Sequence, residues 1–371
     1  MTADKIALVC PLDWGIGHAT RCVPVILALR DQGWKVVVAA DGRPYEFYRN
    51  EYPQFELLRF PGPRVTYPSA GAMMVPAMAA MIPKLLLGIR REQRQLQKLV
   101  KDTHACLVIS DNRYGCRNKR IYSVFITHQL NIRVPAAMGW AAPLLRKISS
   151  FFITQYDECW IPDTEDEGGL SGRLSHCHKL PGNAHFIGPL TRFGHEDSMP
   201  ANMAVPEAEI FVMLSGPEPQ RSTLEKLLIS QIGETSYTAV IAGGRTEAGD
   251  SGVTDGRIHI FPHMSSPLMK HYIRNSKYII CRSGYSTLMD LAVFGRPAIL
   301  VPTPGQTEQE YLANRLSRMN VHYSVPQSKF RLKEALEEIE GHTGIVMRND
   351  LTVLSQRIKR IGTQTGVLRA Q

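Results

Sequence analysis

The sequence predicts an α/β chain of two domains, and three observations carry that expectation. Short apolar, β-rich runs alternate with stretches of helical period along most of the length. Many of these runs are apolar without a break, as strands covered by helices on both faces are. At 371 residues the chain also exceeds what one hydrophobic core usually organises.

Residues 6–10 read as a buried strand, 11–18 as a loop, 19–32 as a helix and 34–40 as a second strand ending at Asp41, a βαβ opening. Gly15 and Gly17 at the turn partly match a dinucleotide fingerprint, but Thr20 stands at its third small position and His18 where pyrophosphate would pack. Between residues 60 and 83 Pro, Gly, Met and Ala predominate. Met73, Met74, Met78 and Met81 there precede a basic run of Lys84, Arg90, Arg91 and Arg94. That segment suits either core packing beside a solvated helix face or an apolar patch resting on an anionic membrane. Residues 105–110 and 122–126 read as strands. Asn112, Arg113, His128 and Gln129 follow them, on the edge where doubly wound sheets bind ligands. With Gly15, Gly17 and His18 they are expected to form the acceptor side of a cleft. A strand at 159–162 is expected to close the first domain, and the acidic run 163–167 reads as a solvated turn rather than a metal site.

Residues 194–208, with Pro200 and Pro206, lose periodicity and read as a hinge. The second domain opens with a strand at 210–214, then Ser215 and Gly216, then a helix through 229. Strands at 238–242 and 257–261 follow, the latter leading into His263 and Met264. Residues 277–281 are again a buried strand, broken by Arg282-Ser283-Gly284 before Leu288, Leu291, Ala292 and Phe294 recur at helical spacing. Ser286 and Thr287 sit at the start of that helix, where hydroxyls, unsatisfied N–H groups and the positive end of the helix dipole suit a phosphate. Asp290, a turn further on, is placed to accept hydrogen bonds from two ribose hydroxyls. Gly295 ends the helix, 298–301 form another strand, and a Pro/Gly loop runs into Gln309 and Glu310, which suit either sugar hydroxyls or helix capping. Residues 332–339 and 351–361 read as helices.

Taken together, residues 279–314 resemble the nucleotide-sugar-binding half of GT-B glycosyltransferases, of the family that includes the bacterial enzyme adding N-acetylglucosamine to the lipid-linked peptidoglycan precursor. The resemblance implies two Rossmann-like domains facing each other across a cleft: 1–193 on the acceptor side, 194–208 as hinge, 209–349 binding the nucleotide sugar, and 350–371 packing back on the first domain. It implies that Ser286 and Thr287, with Ser283 and Gly284 before them, hold the diphosphate, Asp290 the uridine ribose, and Gln309 with Glu310 the donor sugar. The family usually has Glu at the ribose position and a Gln pair at the sugar position. Residues 14–18 resemble its glycine-rich loop, which makes His18 the expected catalytic base. Residues 188–192 resemble its linker, with Arg192 reaching the nucleotide. Ser215 and Gly216 fall at its diphosphate loop, although the prolines beside them depart from the pattern, and His263 and Met264 fall at its base pocket.

The expected function is therefore transfer from a UDP-sugar to an unidentified, possibly lipid-linked acceptor, with inversion and without metal or cofactor beyond the donor. A nucleotide-sugar epimerase of the same fold and a non-catalytic nucleotide-sugar-binding protein are the alternatives. The net charge of +9 favours an anionic partner, which charge alone leaves open as a nucleotide diphosphate, an acidic lipid surface or nucleic acid; with the resemblance, nucleic acid is not expected. Seven scattered cysteines read as reduced thiols of a cytoplasmic protein. His176-Cys177-His178 cannot all face one ion, so no metal is expected there. With no leader and no apolar run long enough to span a bilayer, the expected location is cytoplasmic, possibly peripheral at the inner face of the membrane.

Overall fold

A computed structural model describes residues 5–62, 74–134, 136–176, 179–194, 205–245 and 252–368. The chain divides into two units. One comprises Met1–Trp14, Arg21–Leu190 and Asp350–Gln371, the other Gly15–Thr20 and Thr191–Asn349.

The first unit is built on seven parallel strands: β1 (Ile6–Pro11), β2 (Lys35–Ala40), β3 (Glu56–Arg59), β4 (Leu107–Asp111), β5 (Tyr122–Ile126), β6 (Glu158–Ile161) and β7 (Ala184–Phe186). Their spatial order is β3-β2-β1-β4-β5-β6-β7. Helices α1 (Ile16–Asp31), α2 (Gly42–Glu51), α3 (Met74–Thr103) and α4 (Ala142–Ile153) fall between the strands in sequence. Central β1 and β4 are buried almost throughout, which is why they read as unbroken apolar runs. Leu8, Val37, Val108 and Leu96 of α3 meet in one core cluster.

Two expectations need correction here. The strand near residue 160 does not close the sheet, because β7 pairs outside it. Nor is Asp163 in a solvated turn: its buried carboxylate accepts the N–H groups of Thr164 (2.9 Å), Leu170 (2.9 Å) and Ser171 (2.8 Å), clamping the loop. Gly169, at φ 45°, lets the loop fold back, since a Cβ there would fall 2.3 Å from that carboxylate.

The second unit repeats the plan with β8 (Ile210–Met213), α5 (Gln220–Gly233), β9 (Ala239–Ala242), β10 (Val253–Asp255), β11 (Ile258–Phe261), α6 (Ser266–Asn275), β12 (Tyr278–Cys281), α7 (Tyr285–Phe294), β13 (Ile299–Leu300), α8 (Thr307–Arg318), β14 (Tyr323–Ser324) and α9 (Leu332–Glu338). The order is β10-β11-β9-β8-β12-β13-β14, parallel except for the antiparallel edge strand β10. Val212, Ile241, Ile280 and Ile299 from four adjacent strands share a core with Leu224 and Leu228 of α5 and Leu336 of α9. The last helix, α10 (Thr352–Leu368), belongs with the first unit, where Arg357 pairs with Glu158 at 3.5 Å. Six cysteines, Cys10, Cys22, Cys106, Cys116, Cys159 and Cys281, are buried free thiols. Among the described residues no helix is long and apolar enough to cross a membrane. Met73, Cys177 and His178, and most of the expected hinge, lie outside the described residues.

Candidate donor site

In the second sheet the chain leaves β8 toward β9 on one side and returns to place β12 on the other. The carboxyl ends of β8 and β12 thus lie at a switch point, the place where doubly wound sheets bind ligands. Ser215 and Gly216 follow β8, and Arg282-Ser283-Gly284 follow β12. Gly284 is the extended N-cap of α7, whose first intrahelical bond is Leu288 N–H to the Gly284 carbonyl at 3.0 Å. The N-cap glycine has no side chain to cap this terminus, and a helix N-terminus suits an anion through its backbone N–H groups and the positive end of the dipole. Half-buried Ser286 and Thr287 stand in that turn.

Asp290, on the same helix, is 9 % exposed. Burial pushes its carboxyl up to about 6, against the opposing pull of Arg192 and a hydrogen bond from Thr191. The Thr191 hydroxyl donates to Asp290 Oδ1 at 2.6 Å and accepts the Phe193 N–H at 3.3 Å. Arg192 is buried, with Nη2 2.8 Å from Met269 Sδ.

The loops around α7 are fastened by side chains whose roles the sequence did not reveal. Buried Arg282 donates to the carbonyls of Val301 (3.0 Å), Pro302 (3.2 Å) and Gln220 (2.8 Å) and to Gln327 Oε1 (2.8 Å). One guanidinium thus ties the start of α5 to the ends of β12 and β13, and burial lowers its pKa to about 10. The Ser283 hydroxyl, fully buried, donates to the Gln309 carbonyl at 2.8 Å, so it braces α8. Gln309 Oε1 accepts the Thr303 N–H at 2.9 Å, its amide donates to Gln306 Oε1 at 2.6 Å, and Glu310 Oε1 accepts the Gly305 N–H at 3.0 Å. Both residues therefore shape the loop before α8. Thr303, 2 % exposed, has a buried hydroxyl without a hydrogen-bond partner among the described residues. A Cβ added to Gly216, at φ 101°, would lie 3.6 Å from that hydroxyl.

His263 and Met264 are buried just before α6. Gly15, Gly17 and His18, half-buried, group with this unit. The Ser286 hydroxyl donates to the Gly17 carbonyl at 2.8 Å, and the Thr20 hydroxyl donates to it at 3.1 Å.

The other expected acceptor residues belong to the first unit. Arg113 is not presented for contact: it is 1 % exposed, its Nε is 2.7 Å from Glu92 Oε1, and its Nη1 donates to the Phe60 carbonyl at 3.0 Å. His128 is likewise buried, with Nδ1 3.1 Å from Arg21 Nη1, and Arg21 pairs with buried Asp111. Both are charges or rings consumed by packing at the carboxyl edge of the sheet. Asn112, at φ 56°, and Gln129 remain half-buried there.

Residues 209–344 match the glycosyltransferase family 28 C-terminal domain. A UDP-N-acetylglucosamine–N-acetylmuramyl-(pentapeptide) pyrophosphoryl-undecaprenol N-acetylglucosamine transferase of Methylorubrum extorquens (strain PA1) is 48 % identical over 54 residues, 14 % of this chain and only 15 % of that protein. The protein of the same name from Methylobacterium sp. (strain 4-46) is 24 % identical over 346 residues, 88 % of this chain and 86 % of its own. Among solved structures, spinosyn rhamnosyltransferase SpnG superposes with a TM-score of 0.62 over 99 % of this chain and 100 % of its own, at 14 % identity. Residues 209–344 are thus similar to the glycosyltransferase family 28 C-terminal domain, and the chain has the GT-B fold.

Proposed function

We propose that this protein transfers a sugar from a UDP-sugar to a hydroxyl acceptor, with inversion at the anomeric carbon. The observation that carries the reading is Asp290, a buried carboxylate on the helix that starts from a glycine N-cap at the switch point of the second sheet. A nucleoside diphosphate matches that pair: phosphate oxygens take the N–H groups of the first turn of α7 and the Thr287 hydroxyl, and ribose meets the carboxylate. The curated relatives support uridine, since their names specify a UDP donor.

In this reading His18 removes the acceptor proton as the acceptor oxygen attacks the anomeric carbon. The bond to the β-phosphate breaks on the opposite face, and UDP departs. The helix dipole of α7, with Arg192, stabilises the charge that develops on the leaving diphosphate, a role that needs no metal. Gln309 and Glu310 border the donor sugar, Ser215 and Gly216 the diphosphate, and His263 and Met264 the base, while Asn112 and Gln129 serve the acceptor side. The acceptor is amphipathic and lipid-linked, as in the names of the relatives, which fits exposed Leu87, Trp140, Leu144 and Phe151 in the first unit.

The test is product analysis of the purified protein with a panel of nucleotide sugars. Release of UDP only when a lipid-linked acceptor is added supports transfer. Interconversion of UDP-sugars without acceptor makes the protein an epimerase, and binding without turnover leaves a carrier.

A further inference from the structure

A ribose offers two neighbouring hydroxyl donors, and a carboxylate with both oxygens open can take one on each. Asp290 is not in that state. The Thr191 hydroxyl, 1 % exposed, is oriented by the Phe193 N–H that it accepts, which directs its one proton to Asp290 Oδ1 at 2.6 Å. In position and chemistry Thr191 takes the place of one hydroxyl of a diol. Oδ2 accepts no hydrogen bond among the described residues. Each carboxylate oxygen has two lone pairs, so a ligand that used both oxygens would share Oδ1 with the Thr191 hydroxyl, whose bond already takes one of them.

We propose that Thr191 is a specificity-determining residue of the donor site: it takes one lone pair of Asp290 Oδ1, so that the carboxylate reads one ribose hydroxyl, through Oδ2, more strongly than the other. The site then tolerates a nucleoside diphosphate that lacks the weakly read hydroxyl better than one that lacks the other. This rests on the proposed reading of α7 as the donor helix. Burial disfavours the ionised form of Asp290, and the Arg192 charge and the Thr191 hydrogen bond offset part of that.

Titration calorimetry with UDP, 2′-deoxy-UDP and 3′-deoxy-UDP tests the assignment on the parent, Thr191→Val and Thr191→Ser. In the parent, one deoxy form should bind within about threefold of UDP and the other about tenfold or more weaker, the loss expected for one hydrogen bond to a charged group. Thr191→Val opens Oδ1, so both deoxy forms should then fall about fivefold or more below UDP. Thr191→Ser, which keeps the hydroxyl, should reproduce the parent pattern. Weakening of both deoxy forms in the parent, or an unchanged pattern in Thr191→Val, overturns the role of Thr191 and leaves the donor site standing. The parent measurement needs no variant to fold. Equal binding of all three nucleotides also removes Asp290 from the ribose, and failure of all three to bind refutes the donor site as well.

Discussion

The Ser286 hydroxyl donates to the Gly17 carbonyl at 2.8 Å, and a Cβ on Gly17 would come 3.0 Å from that same hydroxyl oxygen. The side chain at the start of α7 is thus already engaged, and Gly17 is a glycine because the approach is close. In the proposed reading, a phosphate at this terminus would be held by backbone N–H groups rather than by the Ser286 hydroxyl, whose proton goes to Gly17. Ser286→Ala should therefore change UDP affinity less than about threefold. Because Thr20 still donates to the Gly17 carbonyl, the stability cost should be about 0.5–1 kcal/mol. Calorimetry and urea denaturation measure the two quantities. An affinity loss of about tenfold or more would show that the hydroxyl itself ligates the phosphate.

Asp290 makes stability depend on pH in a direction opposite to most carboxylates. Burial raises its carboxyl from 3.8 to about 6, so the folded state binds its proton before the unfolded state does. Stability therefore falls as pH rises from about 4 to 6. Above about pH 6 the cost is fully present, at roughly 3 kcal/mol, and protonation relieves it as pH falls through that window. Asp290→Asn should raise the melting temperature at pH 8, with little effect at pH 4, and weaken UDP binding. Melting curves that match the parent at both pH values would mean that the carboxylate is not penalised by burial.

How much of this site could be read from the sequence varies residue by residue. Asp290 was legible because a helix start and a carboxylate a turn later are local features. Thr191 was not, since its partner lies 99 residues away and the adjacent arginine drew the stronger expectation. Arg282 reads only as the break after a strand, and nothing nearby in sequence announces the four oxygens that hold it. The central strands and β13 were legible as apolar runs, whereas β7 and β14 span three and two residues and carry no period. Asp163 looked solvated because it opens an acidic run, and its burial depends on a glycine turn several residues on.

Arg113 tests the distinction between an acceptor contact and a packing charge. Its pairing with Glu92 at 2.7 Å is fully buried, and Arg113→Ala leaves that carboxylate without its partner. Destabilisation of about 3–5 kcal/mol is expected. Turnover per folded molecule, and the acceptor KM, should stay within about threefold of the parent. A variant as stable as the parent but with a sharply raised acceptor KM would return Arg113 to the acceptor side.

His18 carries the opposite expectation. It stands in the first turn of α1, half-buried, and its proposed task is proton removal in the transition state. His18→Ala should lower kcat about 10²- to 10⁴-fold while UDP affinity changes little, because a general base contributes to the transition state rather than to donor binding. A kcat within about fivefold of the parent assigns proton removal to another group.

Membrane attachment is the prediction that combines the most separate observations. In the first unit Leu86 and Leu87 on α3 and Leu144 and Phe151 on α4 are exposed, as is Trp140 just before α4. The same two helices carry Arg90, Arg91, Arg94, Arg146 and Lys147. Scattered apolar residues on a surface are ordinary, and so are basic ones. Their coincidence on two helices supplies both attractions that reversible binding to an anionic bilayer needs, burial of apolar area and about 1 kcal/mol for each basic residue near the surface. The full chain should therefore sediment with vesicles containing anionic phospholipid, stay in solution with neutral vesicles, and dissociate as salt screens the charges. Arg90→Glu with Arg91→Glu should reduce sedimentation about tenfold or more, two reversed charges removing several kcal/mol of attraction. Leu87→Ser should weaken attachment at every salt concentration, because the apolar contribution is not screened. Indifference to anionic vesicles at low salt would favour a water-soluble acceptor over a lipid-linked one.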